Sequence, residues 1–221
     1  MDVSADQIRN ALLYLIAFVV SVSVHEFGHA LMADKLGDGL PRAQGRLTLS
    51  PLAHYDLIGT IIMPLIASFT PGLPLIAWGK PVQTDVRAYK GVSPRTGHML
   101  VALMGPAMNL ALAVVVSIVI LALGKAHVLT RTLAIVLIQY ILALNLRLFF
   151  FNLIPLPPLD GGAVLEGILP SSLQIVSQTL RRYGIVLFYV LLLSGAINFV
   201  MRPAGELTVA WARALLGWVP A

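Results

Sequence analysis

Residues 25–29 read His-Glu-Phe-Gly-His, so two imidazoles stand four positions apart with a carboxylate beside the first. On a helix, positions i and i+4 share a face, with Cβ atoms about 5–6 Å apart. Two imidazoles at that spacing can bind one zinc ion, with Zn–N bonds of about 2.0–2.1 Å. Glu26 is then close enough to serve as general base toward a water at the metal. By composition, roughly 0.002 such pentapeptides are expected by chance in this chain. A pair of packing histidines is the competing reading. The flanking Leu, Ile, Phe and Val residues argue against it, because ionisable groups in such surroundings are costly and usually functional.

Two histidines leave a catalytic zinc one protein ligand short. The candidates are Asp160, Glu166, Asp56 and His54, and Asp160 is the best of them. It follows Pro155, Pro157 and Pro158, which disfavour continued helix, and precedes Gly161 and Gly162, which permit unusual dihedrals. Broken backbone at membrane depth is tolerated where it lines a cavity. The same residues fit a turn in which Asp160 caps a helix. The unpartnered His pair tips the reading toward a ligand. His54 and Asp56 can approach the site as outer support or form an interfacial polar cluster, and Asn109 can support it or join helices.

The elements that must carry these groups are apolar. The chain has 221 residues, 58% of them hydrophobic and 11% charged, with a mean hydropathy of +0.87. A soluble domain carries about 25% charged residues, so the expectation is an all-α polytopic membrane protein with five to six transmembrane helices. Spans are expected at 8–34, 57–77, 97–123, 132–154 and 182–200, with the helix broken near Asp160. Residues 42–50 and 82–86 alternate weakly and suggest short membrane-associated strands. Leu207, Trp211, Leu215 and Trp218 recur about every four positions, which suggests an interfacial helix over 204–218. His25 lies about 26 Å along a helix from Ile8, inside the bilayer. The first span has acidic Asp2 and Asp6 where a signal peptide is basic, so it is expected to stay.

The chain has no cysteine, which excludes disulfides, thiolate metal sites and a cysteine nucleophile. Its net charge of +5 suits loops on anionic lipid. The basic residues are scattered, which excludes a nucleic-acid reading. They also divide evenly between the two sides, so charge does not orient the spans.

His25-Glu26-Phe-Gly-His29, joined to Asn152-Leu-Ile-Pro155-Leu-Pro157-Pro158-Leu-Asp160-Gly161-Gly162, resembles the site-2 protease family of intramembrane zinc metalloproteases. Gly105-Pro106-x-x-Asn109 resembles that family's intervening helix, and the likeness covers roughly residues 10–165. The resemblance implies one zinc held by His25, His29 and Asp160, with Glu26 as base. It implies further that Asn152 holds the substrate carbonyl or its oxyanion and that Pro158 shapes the backbone facing the substrate. Many relatives carry a PDZ or CBS domain, and no stretch here can hold either. The expectation is one membrane-embedded domain over 1–221, with its core at about 8–165. It would sit in a prokaryotic cell membrane and cut transmembrane segments of other proteins. The rival readings are a metal transporter and a non-catalytic scaffold that binds helices. The transporter gives Glu26 no task, and the intact metal motif is idle in the scaffold.

Overall fold

The computed structural model describes residues 4–70 and 77–219. Seven helices carry the architecture: α1 (Ala5–Lys35), α2 (Leu57–Phe69), α3 (Pro94–Lys125), α4 (Arg131–Asn152), α5 (Asp160–Ile168), α6 (Gln174–Leu193) and α7 (Ala196–Leu216). Single helical turns lie at Leu40–Ala43 and Pro51–His54. Local sequence sets the helix starts. Ser4 and Gln7 exchange side-chain bonds with each other's backbone N–H, at 3.2 and 2.9 Å, in a capping box. Ser93 accepts from the Thr96 N–H at 3.1 Å, and Pro94 takes the first helical position, where no N–H is needed.

Four helices, α1, α3, α4 and α6, are long and apolar enough to cross a membrane. The expectation of five or six spans is therefore met only to four among the described residues. The apolar stretch expected to span at 57–77 is helical over α2, which is about 20 Å long against a hydrocarbon core of about 30 Å. Residues 71–76 of that stretch lie outside the described residues. The span expected at 182–200 is also redrawn. Helix α6 ends at Leu193, and Gly195, at φ +76, turns the chain into α7. That left-handed conformation suits glycine, which has no Cβ to clash.

The two expected strands are not found among the described residues. Residues 40–43 form a helical turn instead, and 77–85 run without a ladder. The physical reason is that their backbone groups are claimed elsewhere. The Lys80 N–H donates to the His54 carbonyl at 2.8 Å, the Val82 N–H to Glu26 Oε2 at 3.0 Å, and the Asp85 N–H to Asp38 Oδ2 at 2.7 Å. The weak alternation in 42–50 reflects single side chains turned two ways. Arg42 pairs with Asp34 on the surface at 2.8 Å, and Arg46 points inward, 4% exposed.

Two apolar clusters among the described residues join α4 to its neighbours. One joins α3, α4 and α7 through Ile120, Ala134, Ile138, Leu142 and Leu215. The other joins α1 and α4 through Ala17, Phe18, Val22 and Leu144. The C-terminal apolar stripe is thus divided. Leu215 is buried and Trp211 packs against the first cluster, whereas Leu207 and Trp218 face outward. Helix α3 runs antiparallel to α1, with His25 meeting Asn109 and His29 meeting Val101. The two approach closely because Gly28 has no side chain. A Cβ there would stand 2.7 Å from the Met104 carbonyl oxygen and 2.8 Å from Met108 Cγ. Small residues allow such approach between helices in lipid. Replacing Gly28 by Val is expected to cost about 2 kcal/mol through overpacking. Thermal unfolding in detergent micelles should show the lowered midpoint, and an unchanged midpoint would refute the close contact.

Candidate metal centre

Helix α1 presents His25 and His29 on one face, and α5 brings Asp160 to them from 135 residues further along the chain. The Nε2 atoms of the two histidines are 3.0 Å apart. Asp160 Oδ2 stands 3.1 Å from His25 Nε2 and 3.5 Å from His29 Nε2. These three residues form the one His/Asp/Glu cluster among the described residues whose donor atoms converge as metal ligands would.

The other ring nitrogens decide what those atoms are. His29 Nδ1 is 2.8 Å from the Val101 carbonyl, which can only accept, so Nδ1 carries the proton. His25 Nδ1 is 2.7 Å from Asn109 Oδ1. Asn109 Nδ2 donates to the Ser21 carbonyl at 3.0 Å and to Asn145 Oδ1 at 2.8 Å, which leaves Oδ1 as acceptor for His25. Asn145 in turn donates to Ser21 Oγ at 2.8 Å. This buried network ties α1, α3 and α4 together and fixes both imidazoles with their Nε2 atoms facing inward. Hydrogen bonds from the distal ring nitrogen orient metal-binding histidines in this way.

Three potential ligand atoms therefore converge. Asp160 Oδ2 is buried there without a hydrogen-bond partner. A tetrahedral zinc with bonds of about 2.0–2.1 Å sets its ligands about 3.3 Å apart, which matches the observed separations. The residues fit a zinc ion.

Local backbone explains how Asp160 arrives. After α4 ends at Asn152, residues 153–159 fold back, and Asp160 opens α5. Gly161 and Gly162 lack positive φ angles, so dihedral freedom is not their role. They make room: a Cβ on Gly162 would lie 2.7 Å from Pro157 N, and one on Gly161 would strike the Ile154 carbonyl. Gly105 does the same for α3, where a Cβ would collide with the His29 ring and stand 2.7 Å from His25 Cε1.

Glu26 is one residue from His25 and faces the same cavity, of ≈ 1360 Å³. Its Oε2 accepts the Val82 N–H at 3.0 Å, and Arg46 Nη2 lies 4.0 Å away. Asn152 and Pro158 line this cavity too, and Asn152 Nδ2 donates to the Leu148 carbonyl in its own helix at 3.0 Å. Asn109 supports His25 directly and joins helices as well. His54 stands apart from the cavity. It is fully buried, with Nε2 bonded to the Thr48 carbonyl at 2.7 Å, and its own carbonyl anchors Lys80. Burial above all, and then the Arg46 charge, hold its imidazole below the ordinary pKa despite the Thr48 bond. Of the other ligand candidates, Asp56 caps α2 through the Gly59 N–H at 2.7 Å, and Glu166 pairs with Arg181. Arg147 is exposed along the cavity wall.

Sequence reasoning passed over Arg46, Asn145 and the Val82 N–H. The weak alternation around Arg46 suggested a strand, and nothing in a sequence marks a backbone amide as a partner.

The chain is similar to known proteins. The profile described as Peptidase family M50 matches residues 125–195. YwhC of Bacillus subtilis, named as a zinc metalloprotease, is 36% identical over 194 residues, covering 86% of this chain and 84% of the relative. Rip2 of Mycobacterium tuberculosis, named likewise, is 30% identical over 189 residues, covering 84% and 68%. Rip2 of Mycolicibacterium smegmatis is 29% identical over 205 residues, covering 89% and 74%. No solved structure matches.

Replacing Asn109 by Leu removes the acceptor that orients His25. Zinc affinity, measured by competition with a chromogenic chelator, is expected to fall about 10- to 100-fold. Wild-type affinity in that variant would show that His25 needs no such support.

Proposed function

The chain belongs to peptidase family M50 and is a zinc metalloprotease of the site-2 protease type, from which we propose that it hydrolyses peptide bonds in or beside transmembrane segments of other proteins. The observation that carries this reading is the convergence of His25, His29 and Asp160 beside Glu26 in a cavity walled by apolar helices. His25, His29 and Asp160 hold the zinc, and Glu26 is the general base.

Zinc, when bound, lowers the pKa of a water to about 7 and polarises a carbonyl oxygen. Glu26 would accept the proton of an attacking water and return it to the leaving nitrogen. Its Oε2 is engaged by Val82, so Oε1 is the oxygen free to do so. Asn152 has a second amide N–H, not spent on Leu148, to donate toward the developing oxyanion. Pro158 lines the cavity and shapes its wall. Much of the wall away from the metal ligands is apolar, with Tyr14, Phe18, Leu144, Leu148 and Phe188 beside the charged Arg147, Glu166 and Arg181, and this apolar part suits a hydrophobic segment as substrate.

A membrane helix hides each carbonyl in its own hydrogen bonds. Cleavage therefore needs a locally unwound substrate. The whole chain acts as one membrane-embedded unit crossing the bilayer several times, and its bacterial relatives support a prokaryotic cell membrane as its site.

Replacing Glu26 by Gln is expected to lower cleavage of a transmembrane reporter at least about 1000-fold while zinc stays bound. Fragment analysis by mass spectrometry together with metal analysis reads both, and undiminished cleavage would overturn the assignment. Glycine or proline placed in the reporter's membrane segment should speed cutting by about tenfold. Rates indifferent to such changes would count against a requirement for unwinding.

A further inference from the structure

Arg46 is the one arginine buried among the described residues, at 4% exposure, and the reaction scheme gives it no task. Its guanidinium donates to the carbonyls of Ala53 and Lys80, and Nη2 stands 4.0 Å from Glu26 Oε2. Burying a guanidinium is costly unless it is paired, and the carboxylate that answers this one is the general base.

The geometry around Lys80 shows what the charge holds. The Lys80 N–H is bonded to the His54 carbonyl at 2.8 Å, and the Lys80 carbonyl accepts from Arg46. Trp78 is tied to α2 in the same manner, its N–H to the Gly59 carbonyl at 3.2 Å and its carbonyl to Thr60 Oγ1 at 2.8 Å. Two residues beyond Lys80, the Val82 N–H meets Glu26 Oε2. Gly79 lets this strip lie against α1, because a Cβ there would collide with Val22 and stand 3.4 Å from Glu26 Cγ. The strip is pinned to the Pro51–His54 turn and α2 on one side and to the catalytic carboxylate on the other. Arg46 touches both sides.

We propose that Arg46 is a positioning residue for the general base. It fixes the Lys80–Val82 backbone whose N–H orients Glu26, and its charge stands behind Oε2, so that Oε1 is presented to the attacking water. This inference rests on the reading of Glu26 as base in a protease.

The test uses full-length protein in detergent micelles with a transmembrane reporter peptide. It compares wild type, Glu26→Gln, Arg46→Ala and Arg46→Lys in kcat, KM and zinc per chain. Arg46→Ala is expected to lose about 100-fold in kcat, the scale of a misplaced catalytic group, with KM and zinc content unchanged. Added guanidinium should restore part of the loss by filling the vacated site. Arg46→Lys should fall between, since an ammonium keeps the charge without the fork that reaches two carbonyls. A kcat within about threefold of wild type in Arg46→Ala, or a loss confined to KM or zinc content, would overturn the proposal. If Arg46→Ala does not fold, Arg46→Lys decides. Lowered kcat at constant KM supports the role, and wild-type kcat refutes it. Wild type that fails to cut, or Glu26→Gln that cuts equally well, sinks the protease reading and this inference with it.

Discussion

Electron-rich atoms gather in an apolar medium only where something holds them there, and the bundle is arranged around one such gathering. Two imidazole Nε2 atoms and a carboxylate oxygen meet within 3.5 Å among largely apolar helices. In a medium of low dielectric their mutual repulsion is felt far more strongly than in water. A bound cation would offset it, and α1, α3, α4 and α5 together hold these atoms at distances that fit one. The amide ladder from His25 through Asn109 to Asn145 and Ser21 is the outer part of the same arrangement. Each of its members is hydrogen-bonded, so the network adds rigidity without leaving a polar atom stranded.

Close backbone approach is the second requirement. Gly28, Gly105, Gly161 and Gly162 stand where a single extra carbon would strike a carbonyl, a proline or an imidazole. The glycines beside Asp160 suggest conformational freedom when read in sequence, yet their φ angles are ordinary. Their value lies in missing volume, which lets the folded-back loop press onto the first turn of α5.

The convergence of His25, His29 and Asp160 was legible because its signal is chemical: residue types at a helical spacing, and a carboxylate set between chain-breaking neighbours. Long apolar runs likewise marked α1, α3 and α4 nearly to their ends. What stayed hidden was tertiary. Residues 82–86 alternate as a short strand would, but amides in and just before them are consumed by Glu26, Asp38 and the His54 carbonyl rather than by a ladder. Arg46 counted as one more basic loop residue, since inward direction is set by what packs around it. The break at Gly195 was invisible for a different reason. A single residue with positive φ interrupts no hydropathy window, so 182–200 read as one span across the end of α6 and the start of α7.

The order of synthesis gives the His25–Asn109 bond a bearing on how the protein is made. Asn109 lies 84 residues after His25. At a ribosomal rate of about 5–20 residues per second, α1 waits on the order of ten seconds for that partner, and longer for Asp160. During that interval the nascent helix carries two imidazoles and a carboxyl with nothing to satisfy them in lipid. It therefore either enters the bilayer with the carboxyl neutralised by a proton or lingers beside water until α3 emerges. The cluster of His25, His29 and Asp160 is thus completed late, long after the helix that bears its first half has been made.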